Sequence, residues 1–206
     1  MYRHLSEKEI KTLKINGCLA DNWNNIEVKE PFLPERLFNV HFTGYVKLGS
    51  NTGKIETADN IIKPAGIFNC ALLNCTIGDD VFLSNIGTLA NYSIADRVSV
   101  ENVGILAVSG ITTFGNGHEI EILNEGGGRE LSIFDKLSAQ IAYLVVIYRH
   151  NKGLTEKLKL LIQSYVKTKE SGIGEIGEAA KIRDVKTIIN VRIGAVSYTH
   201  LRAHET

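Results

Sequence analysis

The 206-residue sequence lacks several features that would point to a functional class at once. Neither sign of charge is in excess, since 23 Lys and Arg residues balance 23 Asp and Glu residues, which argues against a nucleic-acid-binding surface. No basic segment leads into an apolar core at the N-terminus, so no signal peptide is expected. The longest apolar run, residues 141–148, is too short to cross a bilayer. These absences favour a cytoplasmic protein without nucleic-acid or membrane partners.

Cysteine is also scarce. Cys18, Cys70 and Cys75 form no Cys-x-x-Cys pair, and we expect small buried residues rather than a disulfide or a zinc site. His200 and His204 have the spacing of a metal pair, but the final eleven-residue segment, VSYTHLRAHET, matches a translated sequencing adapter. No metal site is therefore predicted.

The sequence does contain a repeat of seventeen residues. Residues 74–90 (NCTIGDDVFLSNIGTLA) and 91–107 (NYSIADRVSVENVGILA) share eight identical positions, where chance gives roughly one. A unit this short buries its apolar face only by stacking on a copy of itself. The repeat predicts parallel stacking with Ile77 on Ile94 and with Asn74 on Asn91.

Each unit divides into three pieces of about six residues, each ended by Gly, Asn or Asp. Such corners suit residues that tolerate left-handed backbone angles. The pattern is typical of the hexapeptide repeat and predicts a left-handed parallel β-helix. The alternative is two β-hairpins whose sequences resemble each other by chance.

The repeat extends in both directions with irregularities. Residues 67–71 match 83–87 at an offset of sixteen, so that unit lacks one residue. Residues 114–118 match 94–98 at an offset of twenty, so that unit would carry three extra residues. The period returns at Ile176 and Ile193, which are seventeen apart.

Helical periodicity interrupts the repeat. Apolar residues from Phe134 to Tyr148 follow a predicted N-cap at Ser132, and a second apolar stripe follows a predicted N-cap at Thr155. We predict an antiparallel α-helical hairpin that braces the fold or contacts another subunit, in preference to a lid. Near the N-terminus, Ser6 and Glu9 form a capping box and predict a short helix.

The predicted fold is thus mainly β: a left-handed parallel β-helix interrupted by an antiparallel α-helical hairpin, with a short N-terminal helix. The predicted segments are an N-terminal helix and irregular cap (1–37), the first part of the β-helix (38–124), a Gly-rich loop with the helical hairpin (125–170), the resumed β-helix (171–195) and a non-native tail (196–206).

Several of these motifs resemble a bacterial family of long, uncharacterised proteins. They are residues 77–79, Asn91, and residues 94–96, 114–117 and 123–130, together with the helix at 137–140. The family is similar in fold to trimeric hexapeptide-repeat acyltransferases of the UDP-N-acetylglucosamine acyltransferase type. The resemblance implies acyl or sugar-nucleotide transfer, a homotrimer, and a His general base between subunits.

The candidate site lies between the last β unit and the helices. His118 is the candidate general base, because imidazole titrates near neutrality, although a partly buried structural histidine is the alternative. Three glycines before a helix N-terminus can cradle an anion, which Arg129 would clamp, and the alternative is a connecting loop. The predicted ligand-binding residues are Asn116, Asn124, Glu125, Gly126, Gly127, Gly128 and Arg129.

Two functions follow from this sequence. One is a transferase that binds a sugar nucleotide or acyl-coenzyme A near residues 116–129. The other is a non-catalytic β-helix scaffold or binding module.

Overall fold

A computed structural model describes residues 1–57, 60–121, 130–148 and 150–200. Within these ranges the chain is mainly β. The helices are α1 (Glu7–Ile15), α2 (Ala139–Ile147) and α3 (Lys152–Lys167). The strands are β1 (Tyr2–His4), β2 (Leu19–Ala20), β3 (Ile26–Lys29), β4 (Leu37–Thr43), β5 (Val46–Leu48), β6 (Lys54–Glu56), β7 (Ile62–Pro64), β8 (Gly66–Leu73), β9 (Thr76–Ile77), β10 (Phe82–Ala90), β11 (Tyr92–Ile94), β12 (Ser99–Ala107), β13 (Glu119–Glu121), β14 (Glu130–Ser132), β15 (Gly174–Ile176), β16 (Lys181–Ile189) and β17 (Tyr198–His200).

Two large sheets contain most of the strands. The seven-stranded sheet has the order β17-β16-β12-β10-β8-β4-β2, and all its pairs are parallel. The six-stranded sheet has the order β1-β3-β5-β9-β11-β15 and is mixed, because β1 is antiparallel to β3. Two further pairs, β6–β7 and β13–β14, are antiparallel hairpins.

The seventeen-residue repeat sets the register between neighbouring strands. Ile77 pairs with Ile94 in the mixed sheet, and Leu89 pairs with Leu106 in the parallel sheet. The predicted parallel pairing of the two copies is confirmed. Equivalent apolar residues therefore lie side by side in adjacent strands, and both members of each pair are buried.

Asparagine residues form a hydrogen-bonded ladder where the long strands of the parallel sheet bend. Each member has a positive φ between 51° and 55°, which short polar side chains tolerate best. Each side-chain amide donates to the oxygen of the next residue at 2.9–3.1 Å. The ladder consists of Asn39, Asn69, Asn85, Asn102 and Asp184.

These sheets correct the predicted architecture. Six-residue pieces would give three short strands of similar length in each unit. Instead, a unit contributes one nine-residue strand, such as β10, and one strand of two or three residues, such as β9, to two separate sheets. One of the sheets is mixed. The prediction of a left-handed β-helix of hexapeptide repeats is therefore wrong.

The prediction that one residue is missing before β10 is confirmed. Ile67 pairs with Leu83 at an offset of sixteen, and Leu72 pairs with Leu89 at an offset of seventeen. The register shifts between these pairs.

Residues 114–118 do not form a further unit of either large sheet. The strand that pairs with β12 on its far side is β16, which begins at Lys181. The period does return there, because Ile94 pairs with Ile176 and Ile176 with Ile193. The repeat does not stop at Ala195, since β17 continues the same register on β16 through His200.

The chain separates into two compact units. One comprises Met1–Ser109 together with the chain from Ile173 onward, and the other is Gly110–Gly172. In the second unit, Thr112 and Ser171 exchange backbone hydrogen bonds of 3.0 Å near the ends of the segment. The two helices α2 and α3 belong to this unit, and their antiparallel pairing as a helical hairpin stays a prediction.

The helix starts also differ from those predicted. Ser132 ends strand β14, and Ser138 caps α2 by accepting a hydrogen bond from the Ile141 amide. Asn151 rather than Thr155 caps α3. The capping box of Ser6 and Glu9 at α1 is present as predicted.

Candidate functional site

An open groove on the first unit is a candidate small-molecule site, and we call it the bulge groove. It has a volume of about 310 Å³, within the range of roughly 300–1,000 Å³ common for small-molecule sites. The groove runs across β2, β4, β8 and β10. Its lining consists of Gly17, Leu19, Asn39, Val40, His41, Asn69, Cys70, Ala71, Ile86 and Gly87.

The register shift in the parallel sheet lies in this groove. Cys70 pairs with Ile86 and Leu72 with Leu89, so Ala71 alone opposes two residues of β10. Such an extra residue bends a strand and re-aims its side chains, and bulges of this kind are frequent beside binding sites. The missing residue of the repeat thus coincides with the groove.

Polar groups of the groove come from one end of the asparagine ladder. The side-chain nitrogen of Asn39 donates to Asn69 Oδ1 at 3.0 Å. Among the described residues, Asn39 Oδ1 accepts no hydrogen bond, so it is available as an acceptor. His41, exposed on β4, pairs with Ala71 on one side and Leu19 on the other. Its imidazole can donate and accept hydrogen bonds.

Gly87, in the lining of the groove, lies close to the backbone of the neighbouring strand β12. A Cβ atom on Gly87 would lie 2.6 Å from the carbonyl oxygen of Gly104, which is closer than such atoms approach. Gly104 is restricted in the same way by the carbonyl oxygen of Lys186, at 2.4 Å. The glycine shared by both copies of the repeat is therefore required by strand spacing.

The groove offers no strong nucleophile. Burial raises the pKa of the Cys70 thiol to about 12, and the thiol contacts the carbonyl oxygen of Phe68 at 3.1 Å. Burial likewise raises the pKa of Cys75 to about 11. Both thiols are protonated at neutral pH, whereas thiolates are the reactive form. The prediction that Cys70 and Cys75 are small buried residues is confirmed.

A second polar cluster lies beneath the hairpin β6–β7. Lys63 forms a 2.7 Å ion pair with Glu101 Oε2 and lies over the ring of Phe82. Lys181 bonds to Glu56 and to the carbonyl oxygen of Thr57. Glu101 Oε1 and Ser99 Oγ are buried without a hydrogen-bond partner in the described part of the chain. This cluster anchors the hairpin on the parallel sheet.

The predicted site residues that the structure describes lie in the second unit. His118 is exposed rather than inward-facing, and its carbonyl oxygen accepts from the Ile133 amide at 2.9 Å. The Asn116 side chain is engaged at both polar atoms: its Nδ2 donates to the Thr113 carbonyl oxygen and its Oδ1 accepts from the Asp135 amide, both at 2.8 Å. Asn116 therefore fastens a turn to residue 135.

The glycine run and its neighbours lie outside the described residues. Asn124, Glu125, Gly126, Gly127, Gly128 and Arg129 belong to the range 122–129. The flanking strands β13 and β14 pair antiparallel, with Glu121 opposite Glu130. The run therefore connects two strands, and the premise that it leads directly into a helix N-terminus is wrong. Its ligand-binding role stays a prediction.

Sequence reasoning missed the bulge groove. The offset of sixteen at residues 67–71 was its only signal, and a one-residue deletion does not by itself indicate a groove. His41 lies in β4, at the start of the segment predicted as β-helix, where no match to the seventeen-residue repeat marks it.

Metal-binding clusters and membrane-spanning helices are both absent from the described residues. No group of three or more His, Cys, Asp or Glu side chains is placed there to hold a metal ion. No helix in these ranges is long and apolar enough to span a membrane.

Comparison with known proteins identifies relatives of unknown activity. A family described as a domain of unknown function (DUF4954) matches residues 2–204. An uncharacterised protein of Treponema pallidum (strain Nichols) is 26% identical over 208 residues, covering 96% of this chain and 29% of that protein. The chain therefore spans less than a third of the length of this curated relative. No solved structure matches the chain.

These comparisons correct the resemblance on which the transferase expectation rests. The expectation of an uncharacterised family agrees with both matches. Neither match is a hexapeptide-repeat acyltransferase, and the sheets are not those of a left-handed β-helix. The resemblance to that acyltransferase type is wrong.

Proposed function

The chain belongs to the family described as a domain of unknown function (DUF4954), and we propose that it is a non-catalytic module that binds a small uncharged sugar in the bulge groove. The observation that carries this proposal is the groove itself. It has the volume of a small-molecule site, and none of the described residues that line it is Asp, Glu, Lys or Arg. A ligand bound there is therefore recognised through hydrogen bonds and apolar contacts.

The groups of the groove suit a hydroxylated ring. Asn39 Oδ1 offers an acceptor for a hydroxyl or amide hydrogen, and His41 offers both a donor and an acceptor. Leu19 and Ala71 supply apolar surface for the C–H face of such a ring. N-acetylglucosamine combines these features, since it has several hydroxyl groups, one amide and an apolar face.

The charged parts of larger donors find no partner in this groove. The diphosphate of a sugar nucleotide and the phosphates of acyl-coenzyme A are usually held by Arg, Lys or backbone amides. We therefore propose the sugar, and binding of a sugar nucleotide or acyl-coenzyme A near residues 116–129 stays a prediction. A cytoplasmic location belongs to the same proposal, and three unbridged buried cysteines support it.

Titration calorimetry with N-acetylglucosamine tests the proposal on the 206-residue chain. For a ligand of this size we expect a Kd of about 1 mM or tighter. Ala71→Trp should fill the groove and weaken binding at least tenfold, and His41→Ala should weaken it several-fold. His4→Ala is the matched control, because His4 is an exposed histidine outside the groove and its loss should leave the Kd unchanged.

Two results would overturn the proposal. One is the absence of measurable heat at ligand concentrations well above the expected Kd. The other is binding that Ala71→Trp leaves intact while circular dichroism shows that the variant is folded. UDP-N-acetylglucosamine serves as a second ligand and should bind no tighter than the free sugar.

The transferase alternative is tested in a separate assay. The chain is incubated with N-acetylglucosamine and acetyl-coenzyme A, and mass spectrometry follows transfer of the acetyl group. The binding-module proposal expects no product. A product that disappears in His118→Ala would contradict this proposal and support the transferase prediction.

A further inference from the structure

Helix α2 exposes apolar side chains that soluble helices usually bury. Residues 138–148 include no charged side chain, and no residue of α2 is fully buried. A helix that is apolar all round normally lies inside a protein core, an interface or a membrane. The exposed large side chains of α2 and its C-cap are Tyr143, Leu144, Val146, Ile147 and Tyr148.

The neighbouring helix α3 has its own exposed apolar side chains. One face of α3 is satisfied within the second unit: Ile162 is buried, and the Tyr165 hydroxyl donates to Asp135. Leu160 and Leu161, in contrast, are 65% and 68% exposed. The exposed apolar side chains named on α2, its C-cap and α3 are all at least 43% accessible, so neither helix covers those of the other.

We propose that a second copy of this chain covers both helices, with α2 of each copy packed against α3 of the other. A two-fold arrangement makes the contact twice, so one interface buries both sets of side chains. This inference is independent of the sugar-binding proposal, because the bulge groove belongs to the other unit.

The exposed area is large enough for such an interface. The seven exposed side chains are between 43% and 68% accessible. If a large side chain offers roughly 150–200 Å² when fully exposed, together they present on the order of 600 Å². That matches the largest apolar patches of monomers, roughly 300–600 Å², and approaches the roughly 800 Å² that each partner buries in a stable complex.

The charge pattern favours a copy of the chain over a charged partner or a lipid surface. The uncharged segment 138–148 can meet another copy without placing like charges opposite each other. A membrane-surface helix would carry Lys or Arg along its polar face, and α2 has neither. Recognition of α2 therefore rests on apolar packing, which the exposed leucines of α3 provide.

Sedimentation equilibrium of the 206-residue chain tests the proposal. The unsubstituted chain should be a dimer at micromolar concentrations. Leu144→Glu on α2 and Leu161→Glu on α3 should each raise the dimer Kd at least 100-fold. The matched controls are Gln140→Glu and Gln163→Glu, which add the same charge to the same helices at exposed polar positions and should change the Kd less than threefold.

A mixing experiment distinguishes the reciprocal α2–α3 contact from an α2–α2 contact. Chains with Leu144→Lys and chains with Leu161→Glu should each be monomeric alone. Their mixture should form a heterodimer, because one half of the interface then pairs opposite charges while the other half keeps both leucines. Failure of the mixture to associate would overturn the reciprocal contact.

Other outcomes contradict the proposal as a whole. A monomer at all concentrations would show that no second copy covers these helices. A trimer, as the acyltransferase resemblance implied, would contradict the two-fold pairing. Association only with phosphatidylcholine vesicles, without a dimer in solution, would instead identify a lipid surface as the partner.

Discussion

Asn85 donates a hydrogen bond from its side-chain nitrogen to Asn102 Oδ1 at 3.1 Å, across two adjacent strands of the parallel sheet. The two residues occupy the same position of the seventeen-residue repeat, and both have a positive φ. Equivalent side-chain hydrogen bonds join the other neighbouring members of the ladder, which runs from Asn39 to Asp184. One side chain thus does two things: it tolerates the left-handed bend and it joins neighbouring strands.

The two contributions of Asn85 can be separated by substitution. Asn85→Gly keeps the left-handed bend but removes the hydrogen bonds, and should lower the free energy of unfolding by about 1 kcal/mol. Asn85→Ala also introduces left-handed strain and should cost about 2 kcal/mol. Urea unfolding measures both, with Thr187→Ala as an exposed control. Equal losses for Gly and Ala would show that the backbone conformation at Asn85 is unstrained.

The apolar register predicts a large difference between two isoleucines. Ile94 is buried between Ile77 and Ile176 in neighbouring strands, so Ile94→Ala should cost about 2–5 kcal/mol of unfolding free energy. Ile105 is 42% exposed on β12, and Ile105→Ala should cost about 1 kcal/mol or less. The substitutions are chemically identical, so similar losses in denaturant melts would contradict the assigned register.

The ion pair beneath the β6–β7 hairpin should be costly to break from one side. Lys63→Met leaves the Glu101 carboxylate buried without its partner and should lower the unfolding free energy by about 3 kcal/mol. Adding Glu101→Leu should recover most of that loss, because the unpaired charge is removed. Lys54→Met, on the exposed side of the same hairpin, is the control. A double variant less stable than Lys63→Met would argue against an unpaired buried charge.

The Arg3–Glu9 pair predicts a specific pH dependence. Hydrogen bonds from Arg3 lower the pKa of Glu9 from 4.5 to about 2. Because the folded state has the lower pKa, the carboxylate stabilises the fold fully above about pH 4.5, and this stabilisation is lost as the pH falls towards 2. The stability difference between the unsubstituted chain and Glu9→Gln should therefore be constant from pH 7 to 5 and shrink below pH 4. A difference independent of pH would exclude the ionised pair as its source.

Local repetition could be predicted from sequence, and the path of the chain between sheets could not. The identities at Ile77/Ile94 and Asn85/Asn102 indicate which residues pair, because stacked copies place equivalent side chains together. The same identities do not indicate that the strand continues through Asn85 for nine residues. That property depends on pairing along the whole of β10 and not on corner residues alone.

The site could be predicted less well than the register. His118 follows a glycine in a segment that resembles the repeat. However, β16 rather than this segment pairs with β12, and His118 belongs to the second unit. Ser132 resembles an N-cap, but its backbone pairs with Glu119 in a hairpin. In both cases a distant strand partner decides the local structure. The groove at Ala71 likewise depends on an opposing strand.

The location of bound sugar tests the central functional claim most directly. Backbone amide signals of the isotope-labelled 206-residue chain are followed by NMR while N-acetylglucosamine is added. The bulge-groove proposal predicts that the largest shifts belong to Asn39, His41, Ala71 and Gly87, and that signals of α1 residues 7–12 and of α3 stay in place. No shift at saturating sugar, or shifts centred on residues 116–121 and 130–135, would contradict it.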